Sequence, residues 1–403
     1  MSTGVTNVLV VNQHGDNRGD EAAMLAMLTG LRARLGACRF TVVAQVQQPG
    51  TGFTVPADTE FLPAVPRGRR VLAAIALTVA ALLRRPAPGW SLDPDTARLE
   101  AAYRDADLVV SAPGGPYFGD LYWNHEPLHW WYAWLGIVHR TPTFLFATSA
   151  GPYRRRIWNG ARRRLLRRFS APLCVREQVS ADHLRGLVGT GTAIEVTTDS
   201  ALLVRVPPLD RVAELGADAD RYVVAVSAYD GGGDAYDDAL RAAMVHLAET
   251  QDACFVVLPQ RYGAGSDVAY LERLLAPLPP TVPRRLFDPT RDAEAQRGLV
   301  AAADLVLAGR YHPLVFAVSA HVPVVPIAYE HKATGVAEAA GIGDRVLQSA
   351  GLTASDLIAA VDRTVADAGS LRATLAATEP ALHALAQHTA DLAAGLVTVR
   401  TGE

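Results

Sequence analysis

Short runs of β-branched and aliphatic residues alternate with longer alanine- and leucine-rich segments over most of the chain. The runs at 7–13, 40–46, 108–112, 143–150, 173–177 and 194–200 predict a first set of strands, and those at 222–228, 254–260, 305–309 and 322–329 a second. Apolar spacing between them predicts helices at 20–35, 122–138, 157–169, 235–250, 291–302 and 313–320. Continuously apolar strands alternating with helices imply parallel sheets covered on both faces. The prolines and charges of 206–221 interrupt this rhythm, and strand signals stop after 345, leaving helical patterns at 354–369 and 371–396. The expected fold is therefore α/β: two doubly wound, parallel-sheet, Rossmann-like domains facing a cleft, 1–205 and 206–345, with the helices of 346–403 bracing them. Ligands of such sheets sit beyond the carboxyl ends of the strands, so polar residues directly after each strand are the candidates.

Composition narrows the class. The 403 residues suit two cores of ordinary size, and 50% apolar with 20% charged residues marks a packed globular chain. A net charge of -3 provides no general attraction to nucleic acid, which is not an expected partner. Cys38, Cys174 and Cys254 are too scattered for a disulfide framework or a zinc cluster, and no metal site is expected. The start lacks a basic leader and the longest apolar run, 71–83, is short of a membrane span, so a cytoplasmic protein is expected. Eight arginines lie within 149–169. They form either a solvated basic face or a contact for anionic lipid headgroups or a diphosphate-linked substrate, which would put the protein at the membrane periphery.

Four segments carry chemistry. In "NQHGDNRGDEA" (12–22), Gly15 and Gly19 permit a tight left-handed path, Asp20 can cap a helix starting at Glu21, and His14, Asp16 and Asn17 point towards the cleft. Neither a dinucleotide fingerprint nor a Walker loop is present. In "SAPGGPYFGD" (111–120), Gly114 and Gly115 let the backbone approach a ligand and Asp120 is a spare carboxylate. The segment after it holds His125, His129 and four of the six tryptophans, as core or as sugar contacts. Arg176 ends a strand, where its planar fork suits a carboxylate or phosphate, with Glu177 beside it as an internal partner; Asp199 ends another. The strongest segment is 309–332. Gly309 turns the strand, and Pro313 fits a first helical turn with His312 as its expected cap. Arg310 and His312 then stand where free helix N–H groups favour an anion, and an imidazole there can pass a proton near neutral pH. One strand later come Tyr329, Glu330 and Lys332. Lys332 is the single lysine among 38 lysines and arginines. An ammonium at that strand end offers a compact charge with an adjustable pKa, which a guanidinium does not.

Together, "DNRGDEA", "GGPYFGD", "SAGPY", "VREQVSADHL", "TTDSALL", "AAADLVLAGRYHPLVFAV" and "VPVVPIAYEHKATGV" resemble the polysaccharide pyruvyl transferase family, in family order over residues 7 to 345. The resemblance implies a two-domain, glycosyltransferase-B-like enzyme. Its members move the enolpyruvyl group of phosphoenolpyruvate onto two hydroxyls of a saccharide or glycosylated acceptor, forming a pyruvate ketal and releasing phosphate. No cofactor beyond that small anionic donor is implied, and a homo-oligomer is compatible with it. By position, Arg310 would bind the donor's carboxylate or phosphate, Arg176 its other anionic end, and His312 would protonate the methylene carbon. Lys332 would neutralise the departing phosphate or assist proton transfer. His14, Asn17, Asp20, Gly114, Gly115, Tyr329 and Glu330 would contact substrate. The chain differs from many relatives at Pro116, and at Ala228 and Tyr229, near Asp230 and Asp234, where an arginine is common. Alternative functions are a nucleotide-sugar-dependent glycosyltransferase on the same plan, a family member with changed donor or acceptor, and a non-catalytic binder of anionic saccharides.

Overall fold

A computed structural model describes residues 5–44, 55–64, 70–83, 85 and 93–400. The first half carries strands β1 (Thr6–Gln13), β2 (Cys38–Ala44), β3 (Thr59–Pro63), β4 (Leu108–Ser111), β5 (Gly114–Phe118), β6 (Thr143–Leu145), β7 (Thr148–Ala150), β8 (Leu173–Val175) and β9 (Ile194–Val196). Its helices are α1 (Arg18–Leu35), α2 (Arg70–Leu83), α3 (Pro94–Asp105), α4 (Glu126–Val138), α5 (Arg156–Leu166) and α6 (Gln178–Val188). The second half has β10 (Tyr222–Ser227), β11 (Ala253–Val257), β12 (Arg284–Leu286), β13 (Leu305–Ala308), β14 (Val324–Ala328) and β15 (Leu347–Gln348). Between and after these run α7 (Arg211–Leu215), α8 (Gly233–Gln251), α9 (Val268–Leu275), α10 (Ala293–Ala302), α11 (Tyr311–Ala320), α12 (His331–Ala339), α13 (Ala354–Ala366) and α14 (Ala368–Arg400).

Every ladder pairing between these strands is parallel. The second half is one six-stranded sheet, order β12-β11-β10-β13-β14-β15. The first half is not the single sheet expected. It divides into β3-β2-β1-β4-β6 and β5-β7-β8-β9. The run expected as one strand at 143–150 breaks where Ala147 takes φ 43, so β6 pairs with β4 and β7 with β5. The Gly-Gly-Pro segment forms the first residues of β5. Residues 45–46 of another expected strand lie outside the described residues. Strand pairing also continues past 345, because β15 adds to the edge at Ile327 and Ala328.

Helix α1 packs on both halves. Met24, Met27, Leu28 and Leu31 join the core of β1, β2 and β4, while Ala22 and Ala23 belong to the core around α10 and α11. Helix α14 does the same over its length: Leu371, Leu375, Leu382 and Ala386 pack with the second half, Ala390, Ala393 and Val397 with the first. Loops ahead of the two sheets also pair directly. The Arg18 N–H donates to the Gln260 carbonyl at 2.9 Å, and the Tyr262 N–H to that of Asp16 at 3.0 Å. Glu21, buried, accepts from Arg18 at 2.6 Å and from the Ala293 N–H at 2.9 Å. A buried carboxylate costs several kcal/mol unless its oxygens are occupied, so these bonds hold the halves in register at the cleft.

Candidate active site between the two halves

The cleft closes round a cavity of about 420 Å³ lined from both halves. The first half supplies His14, Asp16, Asn17, Asp20, Gly115, Tyr117 and Arg176. The second supplies Tyr229, Asp230, Gln260, Arg261, Arg310, Tyr311, His312, Tyr329, Glu330 and Lys332. Of the residues that the family resemblance assigns to catalysis or substrate contact, Gly114 alone is set behind this wall. A Cβ on it would meet the Tyr117 hydroxyl and stand 3.0 Å from Asp20 Oδ1.

Two helix starts differ from expectation, and the difference positions the chemistry. Helix α1 begins at Arg18, capped by Asn17, whose side-chain oxygen accepts the Gly19 N–H at 2.7 Å. Asp20 is thereby freed from capping and turns to the cavity. Gly15 and Gly19 do not adopt the left-handed backbone; Asn12 does, with φ 65. Gly19 is required for another reason, since its Cα lies against the His312 ring with no room for a side chain. Helix α11 begins at Tyr311 with Arg310 at the cap position, extended at φ -123 and ψ 153. Its N–H donates to Ser227 Oγ at 3.3 Å. His312 therefore lies in the first turn, not at the cap. Gly309 permits close packing on the Tyr236 hydroxyl and the Ser227 carbonyl rather than a turn. Helix α12 starts after Glu330, which delivers Lys332 to the same rim.

Each cavity cation already faces a carboxylate. Arg176 is buried and donates through Nη1 to Asp199 at 2.6 Å and through Nε to Ser149 Oγ at 2.9 Å, with Glu177 at 3.5 Å. Its Nη2 lies 3.4 Å from the Gly115 carbonyl, and both residues line the cavity. Arg310 donates through Nε to the Ala228 carbonyl at 3.0 Å and holds Asp230 at 3.4 Å and Asp267 at 3.6 Å through Nη2. Lys332 Nζ is 2.8 Å from Glu330, and Arg261 is 3.7 Å from Asp16.

Burial reverses the usual protonation of the two groups best placed to carry a proton. The Asp20 carboxyl is pushed up to about 7, by burial first and against the pull of Arg176 and Lys332. The His312 imidazole is pushed down to about 3: burial dominates, Arg176 and Lys332 add to it, and Asp199, 3.9 Å away, opposes it. The imidazole expected to titrate near neutral pH is therefore an uncharged ring at pH 7. A second imidazole pair backs the wall. His14 stacks on Tyr117 at 4.9 Å, and its Nε2 lies 3.4 Å from that of His129. His129 Nδ1 donates to the Tyr117 carbonyl at 3.2 Å, which leaves its Nε2 to accept from His14. Burial lowers the pair to about 4 for His14 and about 3 for His129, so both are neutral.

Other expected candidates point elsewhere. Asp120 is not spare, since it accepts from Arg162 at 2.7 Å and from the Arg155 N–H at 2.8 Å. None of the tryptophans of 122–138 lines the cavity; Trp131 and Trp134 pack beside the core of the first sheet. Tyr117, Gln260, Arg261 and Tyr311 were not foreseen. Gln260 and Arg261 follow β11 closely, so the strand-end rule applied there would have found them. A second cavity of about 620 Å³ shares the Tyr329–Glu330 wall and is lined by Tyr153, His183 and His331.

The sequence profile of the polysaccharide pyruvyl transferase family matches residues 17–331, from the α1 cap to the start of α12. The chain belongs to that family. As a member it is a transferase of the polysaccharide-modifying kind. No curated protein matches it in sequence. Solved structures resemble it in fold. A putative UDP-N-acetylglucosamine 2-epimerase from Listeria monocytogenes has 13% identity and a TM-score of 0.61, covering 96% of this chain and 94% of that one. Sucrose-phosphate synthase from Thermosynechococcus elongatus has 16% identity and a TM-score of 0.59, covering 96% and 98%. Anabaena HepE in complex with UDP-glucose has 15% identity and a TM-score of 0.55, covering 98% and 100%. At such identities the likeness is one of fold, the two Rossmann-like halves of the glycosyltransferase-B plan in this pyruvyl transferase family member.

Proposed function

We propose that the chain transfers the enolpyruvyl group of phosphoenolpyruvate to two hydroxyls of a saccharide or glycosylated acceptor, forming a pyruvate ketal and releasing phosphate. The observation that carries this reading is the convergence of Arg176, Arg310, Lys332 and His312, from both halves, on one cavity of about 420 Å³. Arg310 and the N-terminus of α11 take one anionic end of the donor, and Lys332 with Nη2 of Arg176 takes the other. Asp20, protonated up to about pH 7, adds a hydrogen-bond donor without repelling the anion.

His312 supplies the proton to the methylene carbon. Burial keeps it neutral, but one unit of negative charge at about 4 Å is worth about 4 kcal/mol at an effective dielectric of about 20. That corresponds to about 3 pKa units, so donor binding raises the ring from about 3 towards neutrality and draws in a proton. With the methylene carbon protonated, one hydroxyl attacks the cationic carbon, the carbon–oxygen bond to phosphate breaks, and the second hydroxyl closes the ketal. One hydroxyl proton restores the imidazolium that protonated the methylene carbon, and the other leaves with phosphate. The acceptor occupies the adjoining cavity, across the Tyr329–Glu330 wall.

The test has two parts. Phosphate should be released from phosphoenolpyruvate with a vicinal-diol saccharide, and the release lost in Arg310→Ala and His312→Ala. Calorimetry in two buffers of different ionisation enthalpy should show uptake of about half a proton on donor binding at pH 6, absent in His312→Gln. Absence of donor binding, or of turnover with a panel of acceptors, overturns the assignment. One observation favours a second reading. Tyr229 and Tyr329 stack at 4.0 Å with 6° between their planes, a platform suited to a nucleotide base. Binding of UDP- or GDP-sugars in preference to phosphoenolpyruvate would select a glycosyltransferase.

A further inference from the structure

Helix α2 has no charged residue between 71 and 83. It buries Ala73, Leu77 and Ala81 against the first sheet's core. Its other face is bare: Leu72 is 73% exposed, Ile75 55%, Val79 46%, Leu82 59% and Leu83 64%. The intervals of three, four and three residues from Leu72 to Leu82 align these side chains in one stripe. Beside it, Trp131 Nε1 donates to Thr78 Oγ1 at 3.1 Å and ties α2 to α4. Between α4 and α5 lies an open groove of about 770 Å³, lined by Trp130, Trp131 and Trp134 on one side and Arg164 and Arg168 on the other. Trp158 continues the surface, edge-on to Trp130 at 5.9 Å, and Ile157 next to it is 86% exposed.

The charged residues lining the groove are Arg164, Arg167 and Arg168, with no carboxylate among them. The segment 149–175 contains no Asp or Glu. Of its eight arginines, Arg162 turns inward to Glu126, and the other seven stay at the surface. We propose that this face docks on an anionic lipid bilayer, with α2 lying flat at the headgroup boundary, its stripe in the acyl region, and the tryptophans and arginines at headgroup level. At 1.5 Å per residue the 14 residues of α2 span about 21 Å, short of a hydrocarbon core of about 30 Å. Among the described residues no helix is long and apolar enough to cross a membrane. A second copy is the poorer occupant, because a two-fold contact would set arginines against arginines. The proposal does not depend on the reaction assigned above.

The test is co-sedimentation of the full chain with phosphatidylcholine vesicles, with and without about one-quarter phosphatidylglycerol, at low and high salt. Binding should require the anionic lipid and weaken with salt. The double variant Ile75→Glu/Leu82→Glu should bind at least tenfold more weakly. Arg164→Gln/Arg168→Gln should lose about 25-fold, at about fivefold per arginine, with a correspondingly smaller salt dependence. Thermal unfolding of each variant verifies the fold. No sedimentation with anionic vesicles at low salt overturns the proposal. So does equal binding to neutral vesicles, or a wild-type dimer by light scattering that Ile75→Glu/Leu82→Glu converts to monomer.

Discussion

Gly19→Ala tests the junction on which the proposed chemistry depends. A Cβ at Gly19 would lie 1.7 Å from His312 Nδ1, 2.0 Å from its Cγ and 2.5 Å from its Cβ, where ordinary contact begins at 3.4 Å. Ring or helix must therefore give by about 1.7 Å, the difference between 3.4 and 1.7 Å. The ring has little freedom: His312 is 7% exposed and lies edge-on to Tyr311 at 4.9 Å. Forcing one carbon into such packing costs about 1–3 kcal/mol. Moving a proton donor by about 1 Å costs about 100-fold in rate. Phosphate release from phosphoenolpyruvate should accordingly fall at least 100-fold in kcat, with a small drop in Tm. Gly160→Ala in α5 is the control, because nothing lies within 4 Å of its added Cβ. It should keep wild-type turnover and gain about 0.5–1 kcal/mol from helix propensity. Wild-type kcat in Gly19→Ala would refute the packing of α1 on the imidazole and the role built on it.

Acid should destabilise the fold through its buried imidazoles. His14, His129 and His312 fall from 6.5 unfolded to about 4, 3 and 3 folded, so their contribution is present above pH 6.5 and lost as pH falls through the folded values. Urea unfolding from pH 7.5 to 4 should show this decline, and His129→Gln should make it shallower; an unchanged slope would count against a neutral pair. Asp20 runs the other way: its folded value is raised, so its contribution is complete below about pH 4 and lost as pH rises through about 7. Asp20→Asn should bind phosphoenolpyruvate like wild type at pH 6 and more tightly at pH 8.5, where wild type presents another carboxylate; parallel affinity profiles would show that Asp20 is ionised throughout. Lys332→Arg should cut kcat by tenfold or more while retaining the charge, and full activity there would mean that only the charge matters.

The alternation of elements was legible because β1, β10, β11 and β13 are buried on both faces and read as unbroken apolar runs. Edge elements were not. β3 contains Thr59 and Glu60, and β12 is Arg-Arg-Leu, because an edge strand keeps one side in water and loses the apolar signature. Helix starts were displaced because a cap depends on which side chain reaches an N–H: Asn17 does, and Asp20, three residues on, does not. Arg176, Arg310 and His312 were legible from strand ends alone. Of their partners, Glu177, expected beside Arg176, lies 3.5 Å from it, whereas Asp199, Asp230 and Ser149 meet these side chains over separations of 23, 80 and 27 residues and were not legible. The protonation of His312 was likewise invisible, because it depends on how deeply α1 and α11 bury the ring.

These pairings separate the cations into two kinds. Removing either member of the buried Arg176–Asp199 pair would strand the other, at about 3–5 kcal/mol, so Arg176 cannot trade its partner for a substrate. Arg310 is fixed through Nε on the Ala228 carbonyl, while its Nη2 contacts, at 3.4 and 3.6 Å, are long enough to yield to a better acceptor. Lys332 stands between two tyrosine rings, 5.7 Å from Tyr311 and 5.6 Å from Tyr329. Tyr329 is clamped by Tyr229, and Tyr311 lies under Arg176 at 4.3 Å. A planar guanidinium would have to fit its fork between those rings, whereas an ammonium can turn its three N–H groups from Glu330 to an incoming oxygen without displacing either. A cavity that admits an anion by exchanging partners needs one cation able to swivel, and that requirement accounts for a lone lysine in a chain that otherwise uses arginine.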